Sequence, residues 1–164
     1  MADELAPATR RGLIGSATVG ALMLGAFATR AQAAEWTALE KANVKVVNDF
    51  MAAAQGKDLA KPMAFLTADC VYRMTETSPP DKGHEAITTR LKSFVDTADA
   101  IKFDIYSTYA AGPIVINHRL DKFTSKVRPL LFEGVGVFFL KDGKIKEWTD
   151  YTIRAALANE WPKA

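Results

Sequence analysis

The stretch Ile101–Thr124, IKFDIYSTYAAGPIVINHRLDKFT, decides the fold. Two alternating runs, Ile101–Tyr109 and Ile114–Thr124, flank Ala111-Gly112-Pro113, which turns the chain and predicts a pair of antiparallel strands. Toward the C-terminus, a loop over Lys126–Pro129 precedes a third strand, Leu130–Leu140. Asp142-Gly143 is a tight-hairpin signal because both turn positions need positive φ. The last strand runs Ile145–Ile153 and a short tail helix comes after it. Toward the N-terminus the period changes to that of a helix. Glu85–Val95 places Ile87, Leu91, Phe94 and Val95 on one side. Ser78-Pro79-Pro80-Asp81-Lys82-Gly83 makes a loop. Asp69–Thr75 reads as a strand, and Leu59–Leu66 as a short helix with Pro62 in its first turn. Trp36–Ala54 reads as an amphipathic helix with Trp36, Leu39, Val46, Val47, Phe50 and Met51 as its stripe, ended by Gly56. Helices followed by long strands argue an α+β domain. The expected form is a strongly curved mixed or antiparallel sheet, a cone covered by about three N-terminal helices around a central pocket.

The first 33 residues read as a targeting segment. Thr9-Arg10-Arg11-Gly12-Leu13-Ile14 is a twin-arginine pattern. Leu13–Phe27 carries no charge and is rich in Ala and Gly, and Arg30 precedes a small-x-small cleavage site at Ala31-Gln32-Ala33. The apolar stretch is shorter than the roughly 20 residues that span a bilayer. The expectation is a signal peptide over 1–33, export to the periplasm, a single domain over 34–164, and no stable membrane insertion after cleavage. An uncleaved amphipathic anchor is the alternative.

Charge excludes further classes. The chain holds 21 Lys and Arg against 19 Asp and Glu, without a basic stripe, so nucleic acid is not an expected partner. Cys70 is the single cysteine and sits in an apolar setting, so it reads as a small core residue. No cluster of ligating residues has metal spacing, no glycine-rich phosphate loop follows a strand, and no cofactor is expected.

Three charged residues stand out in otherwise apolar strands. On the strand around Arg119, one face carries Val115, Asn117, Arg119, Asp121 and Phe123, and the other Ile116, His118, Leu120 and Lys122. On the last strand Trp148, Asp150 and Thr152 share a face. If these faces point inward, Arg119 can serve Asp121 and Asp150 together, because its planar fork takes two acceptors. Two carboxylates whose titrations are driven apart suit acid–base catalysis. The alternative is a salt-bridge ladder on an exposed sheet face. By parity His118 faces away from Arg119, and His84 helps to start a helix.

These motifs also carry a resemblance. His118-Arg119-Leu120-Asp121 and Gly143-Lys144-Ile145-Lys146-Glu147-Trp148-Thr149-Asp150-Tyr151 resemble the Arg-x-Asp strand and the Gly-[Lys/Arg]-Ile-x-x-Trp-x-Asp-Tyr strand of limonene-1,2-epoxide hydrolases. Val71-Tyr72 with the Pro-rich loop, Gly83 and the helix after it is similar to their first strand and the segment next to it. The resemblance runs from about Val46 to Ile153, within the wider SnoaL-like and nuclear transport factor 2-like superfamily. It implies one-step hydrolysis of an epoxide without metal or cofactor. Asp150 is then the base, Asp121 the acid, Arg119 the bridge between them, and Tyr72 a holder of the water. The family's asparagine two residues after the tyrosine is Met74 here, and Glu76, Thr75 or Asn117 is left to supply a substitute hydrogen bond. Trp148 and Phe123 are expected to line the pocket with Met74, Glu76 and Asn117.

The sequence therefore supports an exported hydrolase of a small hydrophobic epoxide. A SnoaL-like cyclase or isomerase using the same carboxylates is the second reading, and a non-catalytic binder of small apolar ligands the third. A homodimer is expected, with Ile153 and Phe139 on the surface that pairs.

Overall fold

The structure, a computed structural model, describes residues 35–127, 129–157 and 160–161. The segment 1–33, read as a leader, lies outside the described residues. Trp36–Ala164 makes one compact unit.

The order of elements is α1 (Ala38–Ala54), α2 (Ala60–Met63), β1 (Leu66–Arg73), β2 (Asp81–Lys82), α3 (Gly83–Val95), β3 (Ala100–Ala111), β4 (Ile114–Thr124), β5 (Leu130–Lys141) and β6 (Lys144–Leu157). The six strands form one curved open sheet in the order β2-β1-β6-β5-β4-β3. β1 runs parallel to β6, and the other neighbours are antiparallel. This is the α+β class read from the sequence, with the helices in the N-terminal half.

α1 begins at a capping box. Thr37 Oγ1 accepts from the Glu40 backbone N–H, and the Glu40 carboxylate accepts from the Thr37 N–H. The same helix is fastened to the β3–β4 turn. Glu40 accepts from the Gly112 N–H at 2.9 Å, and Asn43 donates to the Gly112 carbonyl at 3.0 Å. Gly112 takes a φ of +56°, open only to glycine at little cost. So pinned, α1 lays Val47, Phe50 and Met51 on Val115, Phe138, Ile145 and Trp148 of the sheet. A second, smaller cluster joins Val95, Ala98 and Ile101 at the end of α3. Lys57 caps that end by donating to the carbonyls of Val95 and Ala98.

The strand ends differ from the sequence reading. The short helix covers Ala60–Met63 rather than Leu59–Leu66, and β1 starts at Leu66 rather than Asp69. Leu66 is fully buried and lies in register with Ile145, so pairing with β6 claims it. β1 also stops at Arg73, two residues before Thr75. Asp81–Lys82, read as loop, pairs with Val71 and Tyr72 as a two-residue strand. The last strand continues to Leu157, four residues past the expected end at Ile153, and most of the tail beyond it, which was to hold a short helix, lies outside the described residues. Arg154–Leu157 pairs with Leu130–Glu133 of β5, and this contact overrides the helical preference of Ala155-Ala156-Leu157. Asp142 and Gly143 take φ of +52° and +73°, as the hairpin signal requires.

Candidate active site

The face that the sequence assigned to Arg119 is the inner one. Val115, Asn117 and Arg119 are buried beneath the helices, and Asp121 and Phe123 partly so. On β6 the bulge at Lys146 resets the alternation, so that Ile145 and Trp148 both turn inward and Asp150 comes next on the same face.

Arg119 and Asp150 are not on neighbouring strands, since β5 lies between them. Gly134 of β5 stands in register with Arg119, and Gly136 with both Asn117 and Asp150. A Cβ at Gly136 would collide with Arg119 Nη1 and come within 2.8 Å of the Phe138 ring and 2.9 Å of Asn117 Oδ1. The guanidinium therefore crosses β5 above a bare backbone. This pair was missed in the sequence. Its signal was Gly134-Val135-Gly136 inside a strand, where glycine marks a close approach.

Arg119 gives three hydrogen bonds to three residues. Nε donates to Asp121 Oδ1 at 2.9 Å, Nη2 to Asp150 Oδ1 at 2.6 Å and Nη1 to Asn117 Oδ1 at 2.8 Å. The Arg119 side chain is 4% exposed and each aspartate side chain 16%, so the arrangement is a buried network and not a surface ladder. Asp150 has two more donors. Trp148 Nε1 reaches Oδ1 at 2.9 Å and the Tyr72 hydroxyl reaches Oδ2 at 3.3 Å. The Tyr72 and Trp148 rings stack at 3.9 Å, in register across β1 and β6.

The two carboxylates have different surroundings. Asp150 sits among donors. Asp121 stands in register between Phe103 on β3 and Phe132 on β5, with Phe123 two residues along its own strand. Phe94 of α3 packs on Phe123 and Phe132, at centroid separations of 5.5 and 6.1 Å. Burial in this aromatic setting, opposed by Arg119 and reinforced by the Asp150 charge, pushes the Asp121 carboxyl up to about 6. Burial works against the Arg119 cation, but Asp150 and Asp121 outweigh it and hold the guanidinium charged. Burial, then the Asp150 charge, pushes the Tyr72 hydroxyl well above its ordinary range, so it stays a donor.

These groups open on a cavity of about 130 Å³. Arg119, Asp121, Asp150 and Tyr72 line it together, as do Trp148, Phe123 and Met74. Thr75 lines it too, because β1 ends at Arg73 and the chain bends there. Glu76 and Asn117 are not among its lining residues. Asn117 is fully buried below Arg119, and its amide oxygen is already taken. His118 lies on the outer face with Glu133 at 3.1 Å, and His84 meets the Thr67 carbonyl at 3.1 Å. Cys70 is buried, and burial pushes its thiol to about 12, far from a nucleophile's range. Among the described residues no group of three or more His, Cys, Asp or Glu is placed to hold a metal ion.

Chemically, the site joins an apolar chamber to one polar wall. That wall offers a carboxyl able to give a proton and a carboxylate able to take one, with a cation between them.

Residues 41–163 match the family model of the limonene-1,2-epoxide hydrolase catalytic domain. An LEH-like epoxide hydrolase from M. tuberculosis is 26% identical, with a TM-score of 0.60 over 69% of this chain and 84% of that one. A protein described as a SnoaL-like polyketide cyclase, from Jannaschia sp. CCS1, is 14% identical with a TM-score of 0.65, over 74% of this chain and 92% of its own. SalBIII, an epoxide hydrolase/cyclase-like enzyme of pyran ring formation in the polyether salinomycin, is 16% identical with a TM-score of 0.63, over 69% and 92%. These last two likenesses concern the fold.

Proposed function

This chain belongs to the limonene-1,2-epoxide hydrolase family, and from that premise we propose that it hydrolyses a small hydrophobic epoxide to a vicinal diol in one step. The observation that carries the reading is the buried Arg119 held between two carboxylates that both line an otherwise apolar cavity.

Asp150 takes a proton from a water that Tyr72 helps to hold. The water oxygen bonds to one epoxide carbon as that carbon's bond to the ring oxygen breaks. Asp121 gives its proton to the departing oxygen. The proton gained by Asp150 and the one lost by Asp121 balance, and exchange with solvent restores the starting state. Arg119 remains charged throughout and spreads the changing charge over both partners. The Asp121 carboxyl, pushed up to about 6, is suited to the acid role. The cavity of about 130 Å³ is close to the roughly 150 Å³ space that holds a benzene in an apolar core, so the substrate is of single-ring size.

One observation favours a second reading. Met74 lines the wall beside Tyr72 and offers little hydrogen bonding to a water. A cyclase, in which a hydroxyl of the substrate itself attacks, needs less grip there.

The test is incubation of the protein with cycloalkene, terpene and styrene epoxides in oxygen-18 water. Singly labelled diol is expected, falling at least about a thousandfold in Asp150→Asn. Cyclic ether from a hydroxy-epoxide, without labelled diol, would transfer the assignment to the cyclase reading. No turnover of either kind would leave the binder.

Two further proposals accompany this one. The twin-arginine pattern at Arg10-Arg11 supports export to the periplasm. Exposed Ile114, Phe139, Tyr151 and Ile153 on the outer sheet face support a homodimer.

A further inference from the structure

We propose that Asn117 is a positioning residue whose amide oxygen divides Arg119 between two aspartates.

An arginine facing a carboxylate ordinarily closes a fork on it, with two parallel N–H···O bonds to one partner. Arg119 does not. Its Nε, Nη1 and Nη2 each meet a different residue. A side-on fork through Nε and Nη2 on either aspartate would leave the other carboxylate buried without that hydrogen bond. The acceptor on Nη1 prevents this, because turning the guanidinium toward a fork breaks the 2.8 Å bond to Asn117.

Three features of Asn117 suit that task. It lies two residues before Arg119 on the same strand face, so it stands directly beside the guanidinium. It is fully buried, so no water competes for Nη1. It is also neutral. Two aspartates and one arginine already sum to −1 when both carboxylates are ionised, and a third carboxylate would add a charge far from solvent. Gly136 serves both ends of this bond, since a Cβ there would strike Nη1 and press on Asn117 Oδ1. The Asn117 Nδ2 donates to nothing among the described residues. The side chain is thus engaged through its oxygen alone, although an unpartnered buried N–H is unfavourable.

With Asn117 in place, Asp121 has one bond from Arg119. Without it, Asp150 captures the fork, because it already has the shorter bond and is held by Tyr72 and Trp148. Asp121 then loses its bond. The charged groups facing Asp121 are Arg119 on its own strand and Asp150 from β6. β3, β5 and α3 present Phe103, Phe132 and Phe94.

The kinetic arm of the test rests on the hydrolase reading. Asn117→Leu keeps the volume and removes the acceptor; Asn117→Ala serves if Leu does not fold. Either is expected to lower kcat for diol formation about 10- to 100-fold with KM within threefold. Asn117→Thr keeps a neutral oxygen acceptor and is expected to hold kcat within about fivefold of wild type. Wild-type kcat in Asn117→Leu or Ala, or a Thr variant as slow as the Leu variant, would overturn the inference. A second arm needs no turnover. Carboxyl-carbon NMR of the full chain is expected to place the Asp121 titration higher in Asn117→Leu or Ala than in wild type, and an unmoved titration overturns the inference. Absence of diol from the wild-type protein sinks the hydrolase reading alone.

Discussion

The two faces of β4, β5 and β6 differ in a way that inverts the usual rule. The concave face buries Arg119 between two aspartates. The convex face of the same strands and of β3 leaves apolar and aromatic side chains in the open, with Tyr109 63%, Ile153 61%, Tyr151 47% and Phe139 40% exposed. Alternation along a strand sorts side chains to two sides but does not say which side is the core. The helices decide it. α1 and α3 cover one face and leave a chamber there, so the charges inside must satisfy one another. Among the described residues no helix covers the convex face, and the proposed pairing with a second copy would use it.

The contrast between the faces is tested most severely at Arg119. Arg119→Met removes the shared cation and leaves two buried carboxylates facing each other. A loss of about 3–5 kcal/mol is expected by urea unfolding at pH 8, together with loss of diol formation. Stability that is unchanged at pH 8 would mean that the concave charges are wetter than their burial indicates.

Gly136→Ala attacks the same network through the backbone it crosses. The added methyl forces Arg119 off its line to Asp150, and a cost of about 1–3 kcal/mol is expected in the same measurement. Gly112→Ala, where a Cβ would meet nothing within 4 Å, separates steric collision from backbone strain at positive φ.

Asp121 probes the concave face through pH. Its folded carboxyl lies at about 6, above the roughly 3.9 of an unfolded chain, so the folded state holds the proton more tightly. The group does not disfavour folding below about pH 4. Its unfavourable contribution grows between about 4 and 6 and is complete above that. Asp121→Asn should therefore be more stable than wild type at pH 8, by about 1–3 kcal/mol, with the gap closing by pH 4. In wild type, diol formation should fall as pH rises through about 6, because the acid must carry a proton. A rate that climbs across this range would remove Asp121 from the acid role.

The smallest stability effect belongs to the convex face. Ile153→Lys should change monomer stability by less than about 0.5 kcal/mol, since the side chain is already in solvent. Sedimentation should nonetheless show a weakened dimer. A wild-type protein that sediments as a monomer would refute the pairing proposal.

Much of this was legible before the structure. The alternation through Ile114–Thr124 placed Asn117, Arg119, Asp121 and Phe123 on one side, and it turned His118 to the other. Asp142-Gly143 specified its own turn. These readings succeed because side-chain alternation and turn φ are properties of a few adjacent residues. The boundaries near Leu66 and the expected strand end at Ile153 failed for the opposite reason. Leu66 is claimed by Ile145, and Arg154–Leu157 by β5, from far away in the chain.

The same division runs through the site. Spacing sufficed to nominate Arg119, Asp121 and Asp150, and the family resemblance added Tyr72 and put Met74 in question. They could not place β5 between Arg119 and Asp150, nor make Gly136 the ground that the guanidinium crosses. They could not send Asn117 beneath Arg119, or bring Thr75 into the chamber where Glu76 does not reach. Nor could they put Asp121 among phenylalanines from three strands and a helix, which is what raises its carboxyl. Each of these depends on register, bulges and strand order. Those are set by how distant segments pack together, and local sequence pattern carries little information about them.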